Sequence, residues 1–111
     1  MIEGIVLAAA GLIILASGLA SASGRLRRNG VVGIRTRTSM SSDEAWDIVH
    51  RAGGPWLVAS GLAMLIGGGV AAVAGSDAVR MAATLTAIVL CLVLALASVL
   101  VGHAAYRGRV R

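Results

Sequence analysis

Three uncharged apolar runs dominate the chain. Residues 5–22 read IVLAAAGLIILASGLASA, residues 56–75 read WLVASGLAMLIGGGVAAVAG, and residues 81–102 read MAATLTAIVLCLVLALASVLVG. At about 1.5 Å rise per residue, helices of this length reach across a hydrocarbon core of about 30 Å. Strands are excluded, because a lipid-exposed sheet edge leaves backbone groups unpaired. The pattern predicts an all-α membrane protein: a single membrane domain over 1–111, with spans at about 4–23, 55–75 and 80–105. Between the first two spans lies the only polar segment of size, residues 24–54.

Ala20, Ser21 and Ala22 resemble a signal-peptide cleavage site. The residues ahead of the run, Met1, Ile2 and Glu3, carry no positive charge, whereas a secretory leader opens on a basic patch. The first run is therefore expected to stay as a span.

Composition agrees with the pattern. The 111 residues are 58% hydrophobic and 14% charged, against about 25% charged in a soluble domain. That excludes a soluble enzyme for want of a polar coat, and disorder for the excess of apolar residues. The net charge of +5 comes entirely from arginine. Nearly all of these arginines flank apolar runs, which is a topology signal rather than a nucleic-acid footprint. Arg25, Arg27, Arg28, Arg35, Arg37 and Arg51 lie between spans one and two, and Arg107, Arg109 and Arg111 follow span three. Only Arg80 lies between spans two and three. The first loop and the C-terminus are therefore expected in the cytoplasm, with the N-terminus outside. Trp56 and Tyr106 fall where interfacial aromatic anchors belong. The lone Cys91 lies in an apolar run and reads as a packed thiol.

Within lipid, helices associate through close backbone approach, which small residues permit. The second run carries Ala59, Ala63, Gly67, Ala71 and Gly75 at a spacing of four, and the third carries Ala83, Ala87, Cys91 and Ala95. The two stripes are expected to face each other.

The loop has its own punctuation. Asn29 and Gly30 signal a turn. Ser41 with Glu44 suits a capping box, opening a short amphipathic helix that runs to about Arg51. Ala45, Ile48, Val49 and Ala52 share one face, Asp43, Asp47 and Arg51 form a ladder at i,i+4, and Trp46 faces His50 at the same spacing. Gly53 and Gly54 are expected to end this helix, and Pro55 to open the second span. The helix is expected to lie at the membrane interface. Arg35 is expected to fold back onto an acidic residue of 43–47, and Trp46 to pack against the ends of the spans.

Asn29, Gly33, Arg35, Thr36, Thr38, Ser42, Glu44, Trp46, His50, Arg51 and Gly53 fall in an order and spacing that resembles the signature of the SdpI family. The resemblance implies a small integral membrane protein of bacteria. The family's founding member is an immunity protein that protects a toxin producer from its own secreted peptide and captures a transcriptional repressor at the membrane. The resemblance singles out this loop motif as the working part, in immunity, signalling or envelope protection.

Chemistry in the loop is sparse. Arg35 and Arg37 suit lipid phosphates, as do Arg25, Arg27 and Arg28. Pairing with the loop's acids is the other role open to these arginines. Asp43, Asp47 and His50 share a helix face, but no second His or Cys completes a metal site. Neither a catalytic group nor a cofactor is expected. The expected partners are membrane lipids with anionic head groups, and either further copies of the chain or a larger membrane complex. The competing reading is a small accessory subunit of such a complex. A channel is disfavoured, because no ionisable residue lies inside the apolar runs.

Overall fold

The computed structural model of the chain describes residues 2–29 and 33–109. Three helices follow in order: α1 (Ile2–Ala22), α2 (Asp43–Val73) and α3 (Asp77–Arg109). Each is long and apolar enough to cross a membrane. A 3-10 turn, Ser39–Ser41, precedes α2. The bundle measures 52 × 20 × 20 Å. The middle helix α2 packs along both neighbours, while α1 and α3 scarcely touch.

The polar start of α2 is one continuous element with the second span. The predicted amphipathic helix is present as its first three turns, not as a separate helix. Gly53 and Gly54 do not end it, and Pro55 lies inside it. A terminating glycine adopts positive φ, and among the described residues only Gly24 and Gly33 do so. Gly53 and Gly54 serve packing instead. A Cβ on Gly53 would strike the Ser98 backbone oxygen, and one on Gly54 would strike the backbone of Ala22. At 31 residues, α2 is about 46 Å long, more than a bilayer core of about 30 Å requires. Its first turns, with Asp43, Glu44, Asp47 and Arg51, extend beyond the uncharged part.

The helix cap also differs from the expectation by one residue. Ser42, not Ser41, is the N-cap: its Oγ accepts the Ala45 N–H at 3.0 Å. Ser41 lies in the 3-10 turn and donates its hydroxyl to the Thr38 carbonyl at 2.6 Å. Glu44 is exposed and closes no capping box.

Glycines set the helix contacts. Gly4, Gly11 and Gly18 of α1 recur every seven residues, as do Gly54, Gly61 and Gly68 of α2. All six are buried. A Cβ on Gly4 would collide with Ala72, one on Gly11 with Leu65, and one on Gly68 with Ala8, each time at backbone atoms. A seven-residue repeat keeps one face of a helix toward its partner over two turns. The absent side chains let the two backbones close up.

The α2–α3 contact uses part of the small stripe predicted for it. A Cβ on Gly67 would collide with that of Ala87, and Ala71 and Ala87 are buried. The buried Ser60 hydroxyl donates to the Cys91 carbonyl at 3.0 Å. Ala59 and Ala63 are half-buried. Gly75 lies past the end of α2, is exposed, and a Cβ there would meet nothing within 4 Å. The helix stops at Val73 with Ala74 extended, so the spacing of four does not carry Gly75 onto the α3 face. Arg80 caps this end, donating to the carbonyls of Ala71 (3.3 Å) and Ala74 (3.1 Å) while pairing with Asp77 at 2.8 Å.

Candidate functional site

The loop between α1 and α2 folds onto the helix ends through a small set of buried groups. Gly24 turns the chain out of α1 with φ +74°, and the Arg51 guanidinium occupies the space where a Cβ would sit. Leu26 then offers its carbonyl to the Trp46 indole Nε1–H at 2.9 Å. Trp46 is 2% exposed and His50 is 1% exposed. One helical turn apart, their rings stack with centroids 4.0 Å apart and planes 23° from parallel.

Gly33 packs directly on this pair. A Cβ there would lie 2.6 Å from His50 Nε2 and 3.2 Å from the tip of the Trp46 ring, and its φ of +108° excludes other residues without strain. The next residue, Ile34, is buried and donates its N–H to His50 Nε2 at 2.8 Å. Since Nε2 accepts, Nδ1 carries the proton and donates to the Trp46 carbonyl at 2.7 Å. Burial pushes the His50 pKa below its ordinary value, against smaller opposing effects of the Trp46 carbonyl and the Asp47 carboxylate. A neutral ring with this tautomer is what the two hydrogen bonds require.

A second anchor joins the loop to α3. Thr36 Oγ1 lies 2.8 Å from His103 Nε2, and His103 Nδ1 lies 2.8 Å from the Val99 carbonyl. With Nδ1–H donated to that carbonyl, Nε2 accepts from the threonine hydroxyl. Thr36 Oγ1 also accepts the Ser39 N–H at 3.1 Å, and Ser39 Oγ donates to the Ile34 carbonyl at 2.6 Å. Ser39 is fully buried. The two histidines thus use the same arrangement: Nδ1 to their own helix, Nε2 to the loop.

The arrangement brings together Gly33, Thr36, Trp46 and His50 of the motif. Gly53 supports them from below, where its carbonyl accepts the Ser98 hydroxyl at 2.8 Å and Ile34 packs above it. Other motif residues lie apart. Asn29 donates its side-chain amide to the Arg27 carbonyl at 2.8 Å, and Thr38 and Ser42 bracket the 3-10 turn. The predicted turn at Gly30 falls in residues 30–32, outside the described residues. Arg51 pairs with Asp47 at 2.9 Å on the exposed side.

The expected pairing of Arg35 with 43–47 is replaced. Arg28 makes that contact, its Nε lying 3.2 Å from Asp43 Oδ1. Burial of Ile34 and the Thr36 anchor turn residues 34–36 along the α1–α3 side, away from the acids. Arg35 is exposed and, among the described residues, in no ion pair.

Ile34, Ser39, Ser98 and His103 belong to this constellation and were not singled out by the sequence. Ser39 resembles any loop serine, and His103 stands 67 positions from Thr36. The heptad glycines of α1 and α2 did carry a readable signal in their shared period. Among the described residues, no group of three His, Cys, Asp or Glu is placed to hold a metal ion.

The model of the SdpI/YfhL protein family matches residues 25–102, which covers the loop motif, α2 and α3 as far as Gly102. No curated protein and no solved structure matches the chain.

Proposed function

The chain belongs to the SdpI/YfhL protein family, and from that premise we propose that it is a non-enzymatic membrane protein acting through its folded loop, in immunity, signalling or envelope protection. The observation that carries this reading is the double histidine anchor, His50 to Ile34 and His103 to Thr36. It makes residues 33–41 a fixed surface rather than a slack connector. The anchored stretch leaves Arg35 and Arg37 exposed, a positive surface suited to anionic head groups. Each histidine engages both ring nitrogens inside the protein, so neither is offered to a substrate as acid, base or ligand. The excess of arginine on this side of the bundle favours a cytoplasmic position in a bacterial inner membrane.

A protection assay tests the proposal. Bacteria expressing the chain are challenged with secreted membrane-active peptides, and survival is scored beside membrane insertion. Wild type is expected to protect. Arg35→Ala and Trp46→Ala are expected to insert normally and lose protection, and Arg27→Ala to retain most of it. Equal behaviour of the three substitutions would overturn the role of the loop. Stoichiometric co-purification with a large complex in mild detergent would favour an accessory subunit instead.

A further inference from the structure

The bundle has an open side. Because α1 and α3 both pack on α2 and scarcely on each other, a groove of about 350 Å³ runs between them, with Leu57 of α2 at its back. Ile14 and Ser17 form one wall, Ala95 and Val99 the other, and residues 33–36 close its loop end. Ile14 lies eight residues before the end of α1, about 12 Å down the helix. The lower part of the groove is therefore at hydrocarbon depth, while its mouth is at the level of the loop.

The polar groups in the groove are engaged within the protein. Ser17 donates its hydroxyl to the Ile13 carbonyl at 2.9 Å, and Thr36 is bound to His103. Arg35 differs. It lines the mouth, is exposed, and forms no ion pair among the described residues, whereas Arg28, Arg51 and Arg80 each hold a carboxylate. An occupant must be apolar along its length and negative at one end. We propose that this groove binds one anionic glycerophospholipid, an acyl chain lying between α1 and α3 and the phosphate against the Arg35 guanidinium. Arginine suits this task because its planar fork matches two phosphate oxygens at once. An acidic protein helix fits less well, since a helix is about 10–12 Å across with its side chains and, among the described residues, the groove offers a single free cation at one end.

The proposal rests on the chain being a membrane protein and not on any protective role. Its test is binding, read separately from survival. The full chain in mild detergent is titrated with phosphatidylglycerol, or with phosphatidylcholine of the same chains, and followed by native mass spectrometry. One phosphatidylglycerol per chain is expected to bind saturably, ahead of phosphatidylcholine. Arg35→Ala should weaken phosphatidylglycerol about five- to tenfold, and Arg35→Lys should recover only part of the loss, because it restores the charge but not the planar fork. Arg107→Ala, which removes a charge outside the groove, should change binding less than about twofold. Ala95→Phe and, independently, Val99→Phe should fill the groove and weaken both lipids, in protein whose helical content and melting are unchanged. Equal effects of Arg35→Ala and Arg107→Ala would reduce the interaction to diffuse charge and overturn the site. So would lipid binding that persists in folded groove-filled variants, or an acidic peptide that displaces the lipid with Arg35 dispensable.

Discussion

The backbone N–H of Ile34 points at Nε2 of His50, 2.8 Å away and 16 positions along the chain. Both groups are buried, so neither has water to fall back on when the other is removed. Beside the Leu26–Trp46 bond, this bond joins the loop to the first turns of α2, and it exists only while the imidazole is neutral.

Acid should therefore loosen the loop. Burial holds the folded His50 pKa below its ordinary value, so the unfolded chain binds more protons as pH falls below about 6.5. The stability contributed by the neutral ring is present above that pH and is lost as pH falls toward the folded value. Hydrogen exchange at the Ile34 amide, corrected for its intrinsic pH dependence, should lose protection on going from about pH 7.5 to about pH 5. In His50→Ala the amide should be poorly protected throughout. Protection that stays level in the wild type would contradict the role given to His50.

Thr36→Val should release the loop from α3. The substitution keeps the shape, removes the hydroxyl that meets His103, and leaves the Ser39 N–H without its acceptor. A loss of about 1–2 kcal/mol is expected, with faster exchange over residues 36–41 and no change in the helices. Unaltered exchange there would mean that the 3-10 turn holds without this anchor.

Glycines of one helix should respond in opposite ways. Gly61→Leu must push α1 and α2 apart, because a Cβ at that site already meets the Leu15 backbone. A destabilisation of about 1–3 kcal/mol is expected, as for overpacking elsewhere. At Gly69 a Cβ meets nothing within 4 Å, so Gly69→Ala should be neutral or stabilise by about 0.5–1 kcal/mol through helix propensity. Melting in detergent, followed by circular dichroism, separates the two. Similar melting of both variants would show that glycine packing does not hold α1 on α2.

Charge asymmetry leads to an expected orientation. A fluorescent reporter fused at the C-terminus should be bright, and a phosphatase fused there inactive, since arginines concentrate on the side of the loop and the C-terminus. The reverse pattern would invert the proposed topology and move the Arg35 surface to the outside.

Much of the architecture was legible because the relevant forces act locally along the chain. Unbroken apolar runs of 18 to 22 residues specify helices that lipid can surround, since a buried backbone must satisfy its own hydrogen bonds. The Trp46–His50 stack and the Asp47–Arg51 pair follow from i,i+4 spacing, which the helix makes contiguous. Other features depend on what comes from afar. Gly53 and Gly54 read as a helix stop, yet they lie inside α2, where their missing side chains let Ser98 and Ala22 approach. Arg35 and Arg28 are equivalent as charges in a loop, and the burial of Ile34 with the Thr36 anchor decides which of them reaches Asp43. His103 gains its role only when the fold sets it beside Thr36. Hydrophobic period, charge and local spacing are properties of a segment. Which polar groups meet in the interior is a property of three helices and a loop closing on one another, and no segment carries that information alone.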